Sequence, residues 1–377
     1  MAILPSQIGF TNKCDIPVTM NKARIAHIDI MKGFGILSVL IGHYVHHSII
    51  PTVIWSFHMP LFVLLSGYLY KRDSLKNKIV KAASSYLKPY VIVWLILIVS
   101  ECIIALLGLS NNTPISAIKT RTISGLWALA SNNTPHRPYF VIKIGVIWFL
   151  NSLFIGTIIF SLILRIKKNI SQTIIILLLT ICASVQTYTI CIPLGINYGI
   201  LFLIYLAVGY HYRSLKDKKS KIIDTINSTL GMFVSTFIWI IIVSIEILSR
   251  HNYNIIYPSF SLYGLEIVGA IAGTLTTMHL SVYITKLTTK QPVAQTILVS
   301  TNNVLQYIGR STIWIMCIHA IDIELLPNFI DTNDLTPTYK IIVISIRIFS
   351  DIFIALTLRQ VWHNWKSLGR PHLLSKK

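Results

Sequence analysis

The feature that most constrains this chain is a succession of apolar runs, each about as long as a helix needs to cross a bilayer, roughly 20 residues. Ten such runs can be read, at 31–50, 52–70, 87–109, 141–164, 172–190, 194–212, 227–248, 260–285, 304–324 and 338–358. Lipid offers backbone groups no hydrogen bonds, so runs of this kind fold as helices that satisfy their own N–H and C=O groups. The expected fold is an all-α integral membrane protein, with about ten transmembrane helices in one bundle. Composition agrees: 12% of the 377 residues are charged, against roughly a quarter in soluble domains. The polar segments between runs are too short for a soluble domain, so 1–377 reads as a single membrane domain. Pro51, Pro89 and Pro193 sit near the ends of runs, where helices break most easily.

Charge sets the orientation. The chain carries 33 Lys and Arg against 13 Asp and Glu, a net charge of +20. In a soluble protein that excess would suggest nucleic acid. Here the basic residues cluster in alternate loops, at 1–32, 71–88, 165–168, 213–221, 286–310 and 359–377. Those segments hold 26 of the 33, and the opposite side holds six. The positive-inside rule then places both termini in the cytosol, with the anionic inner leaflet as the electrostatic partner. The expected location is the inner (plasma) membrane, as a multi-pass protein, with membrane lipids and not nucleic acid as partners. The first 30 residues lack the apolar core of a secretory signal, so the first run is expected to act as an uncleaved anchor. The five cysteines form no Cys-x-x-Cys pair and three lie inside apolar runs, which suits neither a disulfide framework nor a zinc site. The longest outer segment, about 110–140, holds Trp127 and two Asn-Asn-Thr-Pro stretches and is a candidate lid.

The first run carries the candidate chemistry. It opens with Asp29, Lys32 and Gly33 and closes with Gly42, His43, Tyr44, Val45, His46 and His47. At about 100° per residue, Lys32 and His43 fall within about 20° of one line, with Asp29 and His47 close to it. One helix face thus carries an acid and a base at the cytosolic mouth and an imidazole about 16 Å deeper. Ionisable groups at that depth normally face a bundle interior or a wet cavity. A basic mouth suits a phosphate-bearing ligand, and a buried imidazole suits proton removal from an alcohol. The competing reading is a packing histidine bonded to a nearby carbonyl.

The second run reads Phe57-His58-Met59-Pro60-Leu61-Phe62, then Ser66-Gly67-Tyr68, with Lys71 and Arg72 beyond it. Together the two runs resemble the acyltransferase 3 family of membrane O-acyltransferases, in particular its fucose 4-O-acetylase-like branch. The family opens with Asp, a basic residue and Gly, then a His separated from the basic one by ten intervening residues, matched by Asp29, Lys32, Gly33 and His43. The strongest match covers 27–72. Weaker echoes follow at Trp148-Phe149-Leu150 and from Ile308-Gly309-Arg310-Ser311 to His319. Lys32 stands where many members have Arg, which keeps the charge but weakens two-pronged phosphate recognition. The resemblance implies transfer of an acyl group, usually acetyl from acetyl-CoA, to a sugar hydroxyl of a surface or secreted glycan or lipid-linked sugar. It also implies that His43 is the catalytic histidine. The donor's phosphates are then expected at Lys32, Arg24, Lys71 and Arg72, with Asp29 holding or tuning Lys32. An acetyl-histidine intermediate is the alternative chemistry.

Other residues widen the candidate site. His58 and His319 are expected at depths similar to His43, so the three imidazoles are candidates to line one cavity, each with a structural alternative. Arg347 and Asp351, four apart, are expected to pair on one helix face. Glu101 is expected as a hydrogen-bonded structural carboxyl at mid-membrane, and Glu266 near the outer surface in solvent. Gly269 and Gly273 form a Gly-x-x-x-Gly step that reads as close helix packing. His43, His46 and His47 lack a matching second ligand set, so no metal is expected, and no Gly-rich phosphate loop marks a nucleotide-driven pump. The rival function is a secondary transporter or flippase, using the same midplane His, Arg and Asp residues as a proton or substrate path.

Overall fold

A computed structural model describes residues 25–45, 49–249, 264–287, 295–326 and 336–368, and every regular element among them is a helix. In chain order these are α1 (Ala26–Tyr44), α2 (Ile49–Trp55), α3 (His58–Tyr68), α4 (Leu75–Ala82), α5 (Lys88–Leu106), α6 (Pro114–Trp127), α7 (Trp148–Ile163) and α8 (Asn169–Gln186). There follow α9 (Ile196–Leu201), α10 (Leu203–Asp217), α11 (Lys221–Ile226), α12 (Thr229–Leu248), α13 (Leu265–Leu287), α14 (Gln295–Arg310), α15 (Thr312–Leu325) and α16 (Pro337–Leu368). Long stretches of these helices turn apolar side chains outward. Leu95, Val99 and Ile103 on α5, Phe233 and Phe237 on α12, and Phe349 and Phe353 on α16 are all about half exposed or more. Such stripes are incompatible with water and fit a lipid surround.

Six helical stretches among the described residues are long and apolar enough to cross a membrane: Ile49–Tyr68, Leu75–Leu106, Asn169–Gln186, Thr229–Leu248, Leu265–Leu287 and Thr338–Ser367. A seventh is added if α9 and α10, bent by 43° at Phe202, count as one broken span. The ten runs expected from sequence therefore include segments that do not meet this standard by themselves. The run at 304–324 is divided at Ser311 into α14 and a 14-residue α15. The run at 141–164 yields only the 16 residues of α7, and α1 carries charge at its mouth.

Local chemistry sets several of these boundaries. Pro89 lacks an N–H and would leave a carbonyl one turn earlier without its bond. A π-helical turn at Ala83–Leu87 absorbs the mismatch, so α4 and α5 continue as one rod. Part of the 110–140 segment is helical, as α6. Thr113 caps α6 by accepting from the Ser116 N–H, and Pro114 sits at its first turn. The helix lies against α5, where Tyr90 donates to the Gly125 carbonyl at 2.6 Å and Trp94 to the Arg121 carbonyl at 2.8 Å. Arg121 itself is 5% exposed and ion-paired to Glu101 at 2.5 Å and Glu324 at 2.9 Å. Glu101 is therefore hydrogen-bonded, as expected, and its partner is a cation. Glu266 is buried, at 4% exposure, where solvent was expected.

α1 is the centre of the bundle, with Ile30, Met31, Ile36 and Leu40 essentially sealed from solvent. Two close crossings position its neighbours. A Cβ at Gly309 would strike the Asp29 carbonyl, and one at Gly33 the Leu305 carbonyl, so α1 and α14 run backbone to backbone in opposite senses. Gly67 and Gly209 make the same reciprocal contact between α3 and α10. Small residues at crossings let helices approach where lipid supplies no hydrophobic drive. Gly269 and Gly273 serve α13 in the same way, against Ile242 and against Phe57 and Trp239.

Candidate active site

The α1–α14 crossing fixes a lower rung. Arg310, the last residue of α14, donates from Nε to Asp29 Oδ2 at 2.9 Å. Lys32 lies one turn further along α1, half-buried on the same face. Asp29 is 14 residues from His43, about 21 Å along the helix. Asp29 therefore lies well away from His43, and it is bonded to Arg310. Arg359 of α16 donates to Ser311 at 2.7 Å and lies over the Tyr307 ring, adding a further cation at this end.

From Ser311 the chain turns back into α15, which rises beside α1 and brings His319 to His43. Their ring centroids are 5.7 Å apart. His319 is completely buried and His43 is half-buried. α16 descends against α15 and supplies the partners. His319 Nδ1 lies 2.8 Å from Asp351 Oδ2 and 3.2 Å from the Tyr44 hydroxyl. Tyr44 lies 2.5 Å from Asp322 Oδ2 and 2.7 Å from Asp351 Oδ2. Arg347 closes the set, with Nη2 2.6 Å from Asp322 Oδ2 and its guanidinium carbon 4.5 Å from the Tyr44 ring centroid. The expected Arg347–Asp351 pair along α16 is thus replaced by two pairs across to α15. Antiparallel packing puts Arg347 level with Asp322 and Asp351 level with His319.

This arrangement has a defined chemical consequence. Asp351 is an acceptor only, so the short contact makes His319 Nδ1 the protonated nitrogen. Nε2 is then left as a lone-pair acceptor, and it is buried with no hydrogen-bond partner among the described residues. An unsatisfied buried acceptor is costly. Two carboxylates, Asp322 and Asp351, face one fixed cation, Arg347.

The remaining candidates fall elsewhere. His58 is buried at the start of α3, and its Nδ1 lies 2.8 Å from the Ile54 carbonyl of its own span. The ring pairing joins His43 with His319, and His58 makes the bond of a packing histidine. Lys71 and Arg72 are exposed just beyond α3, with Arg72 donating to the Tyr210 hydroxyl at 3.0 Å. Next to them Asp73 is held well below the usual carboxylate range by Lys81, then by Asn77 and the Ser74 amide. Arg24, His46 and His47 lie outside the described residues. Sequence reasoning missed the roles of Tyr44, Asp322 and Arg310. Asp322 gave a signal: an acid three residues beyond His319, followed by Glu324, in an otherwise mostly apolar run.

Residues 25–355 match the acyltransferase domain family known as acyltransferase 3. No curated protein and no solved structure matches the chain. The matched stretch runs from the first turn of α1 through Asp351 of α16, and so takes in both rungs. With nearly the whole described bundle inside the match, the chain belongs to the acyltransferase 3 family of membrane acyltransferases.

Proposed function

We propose that the protein is an acyl-CoA-dependent O-acyltransferase that moves an acyl group, acetyl in the expected case, to a sugar hydroxyl of a surface or secreted glycan. One observation carries the reading. His43, the imidazole of the sequence motif, lies beside a second imidazole that Asp351 holds in one tautomer.

The donor enters at the basic end, its phosphates met by Lys32 and by Arg310, which Asp29 holds in place. Arg359 adds charge there, and Lys71 and Arg72 form a second basic group at the α3 end. The pantetheine arm then follows α1 for about 16 Å to reach His43. His43, the more accessible of the two imidazoles, is the base. It takes the proton of the acceptor hydroxyl as the oxygen attacks the thioester carbonyl. The carbon–sulfur bond breaks, and the departing thiolate recovers the proton from His43, which leaves the ester, free CoA and the starting imidazole. His319, enclosed on all sides, is a positioning residue: with Tyr44, Asp322, Asp351 and Arg347 it fixes the polar wall beside His43. A preset wall needs no reorganisation as charge develops, which is where such groups contribute most.

The test is His43→Ala. Loss of a general base costs about 10²–10⁴-fold in rate, while insertion and acetyl-CoA binding are expected to persist. A well-inserted variant that binds acetyl-CoA and acylates at near-normal rate removes His43 from the chemistry. A wild-type protein that releases no CoA from acetyl-CoA with any sugar acceptor favours the transporter reading of the same buried charges.

A further inference from the structure

Apart from both rungs, the bundle holds a cavity of about 410 Å³ walled by α1, α3, α8, α10, α11 and α13. That volume lies within the about 300–1,000 Å³ of ligand pockets. Its lining runs along α10 from Ile204 to Lys216, about 18 Å. One leaflet of a bilayer core, half of roughly 30 Å, is of similar depth.

The lining is mostly aliphatic, and three of the hydroxyls along it already donate within the protein. Thr274 donates to the Ala270 carbonyl at 2.8 Å, Thr173 to Asn169 at 3.2 Å, and Tyr212 to Asn227 at 2.6 Å. A pantetheine arm would bury two amides here against groups already bonded, which is unfavourable. A hydrocarbon chain leaves nothing unpaired. On one side the cavity meets the face of α8, where Leu177 is 45% exposed beside Ile174 and Ile181. That face looks to lipid, so a chain can enter sideways.

At the polar end the cavity closes on Tyr68 and Lys216, with His27 and His211 at its rim. Lys216 Nζ lies 5.8 Å from the Tyr68 ring centroid and 3.3 Å from its hydroxyl, and the Arg213 guanidinium lies 5.6 Å from the same ring. Among the described residues the carboxylate paired to Arg213 is Asp217, at 3.4 Å and largely exposed. A long apolar slot that ends at Lys216, with Arg213 beside the Tyr68 ring that also lines it, has the charge pattern of an anionic lipid.

We propose that this cavity binds one anionic phospholipid, its acyl chain filling the slot between α3, α10 and α13 and its phosphate meeting Arg213 and Lys216. The site is separate from His43 and independent of the acyl transfer proposed above. Full-length protein in phosphatidylcholine vesicles is given phosphatidylglycerol with a diazirine in its acyl chain, then irradiated, and the labelled peptides are mapped. Label is expected on Ile204–Leu215 and on Ile271–Met278 above the level on the outward face of α16, which serves as internal control. Ala207→Trp, which fills the slot, should strip label from these peptides and leave α16 unchanged. Arg213→Ala and Lys216→Ala, both at the surface, should each lower labelling relative to a phosphatidylcholine probe by roughly fivefold. Cavity peptides labelled no more than α16, or an anionic preference that survives both alanine changes, would overturn the proposal. So would loss of the label on adding excess acetyl-CoA, which would make the slot part of the donor path.

Discussion

Replacing Asp351 with Asn tests whether the carboxylate beside His319 serves the chemistry at His43 or merely packs. Asn keeps the shape and removes the charge. In the wild type a single oxygen, Oδ2, takes the contacts of both Tyr44 at 2.7 Å and His319 at 2.8 Å, in a residue 1% exposed. A hydrogen bond to a charged group is worth about 1.5–3 kcal/mol and a neutral one about 0.5–1.5. The His319 bond should therefore weaken by about 1–2 kcal/mol. If that difference is felt in the transition state, the rate falls about 5–30-fold. Folding stability should change less, because the variant also loses the cost of burying a carboxylate. The assay is initial-rate CoA release in detergent, with acetyl-CoA and acceptor varied separately. kcat should fall by that factor, while KM for acetyl-CoA stays within about twofold, since the cations at Lys32 and Arg310 sit roughly 15 Å away. Asp351→Glu should recover part of the loss. A kcat unchanged in a well-inserted Asp351→Asn protein, or a KM that rises as much as kcat falls, would refute the positioning role.

Two further expectations concern the basic loops. Changing Lys71 and Arg72 together to Ala should raise KM for acetyl-CoA by about fivefold with little effect on kcat, as expected for exposed charges; an unchanged KM removes this loop from the donor site. A reporter active only outside the cell, fused after Lys377, should be silent if the positive-inside reading of the Lys and Arg distribution, with a cytosolic C-terminus, holds. Strong external activity would overturn the orientation.

Much of the site can be traced from the chain, but only along single helices. Lys32 and His43 share a face of α1 because eleven residues bring a helix back nearly to the same line. The depth of His319 follows from its distance to Arg310. Both inferences use the one periodicity that a helix imposes whatever surrounds it. The Arg347–Asp351 expectation used the same rule and gave the wrong partner. Two charges four apart on a helix can meet each other, yet each meets a closer charge once α15 lies antiparallel to α16. Along one helix an exposed pair is worth only a few tenths of a kcal/mol, whereas buried charges gain far more from partners that enclose them. Glu101 and Arg121 repeat the lesson, since nothing local indicates that α6 folds back on α5.

The sequence by itself determined the helical class, the lipid-facing character and the family. These rest on hydropathy, which acts residue by residue, and on a motif contained in two adjacent runs. Tertiary structure decided what the motif is next to. The meeting of His43 with His319, the Asp351 bond that fixes its tautomer and the Asp29–Arg310 pair all join residues far apart in the chain. Each depends on a glycine crossing or an antiparallel packing whose geometry is set by shape at close range. Hydropathy is additive along a chain and can be read from it. Close packing belongs to pairs of surfaces and exists only when both are in place.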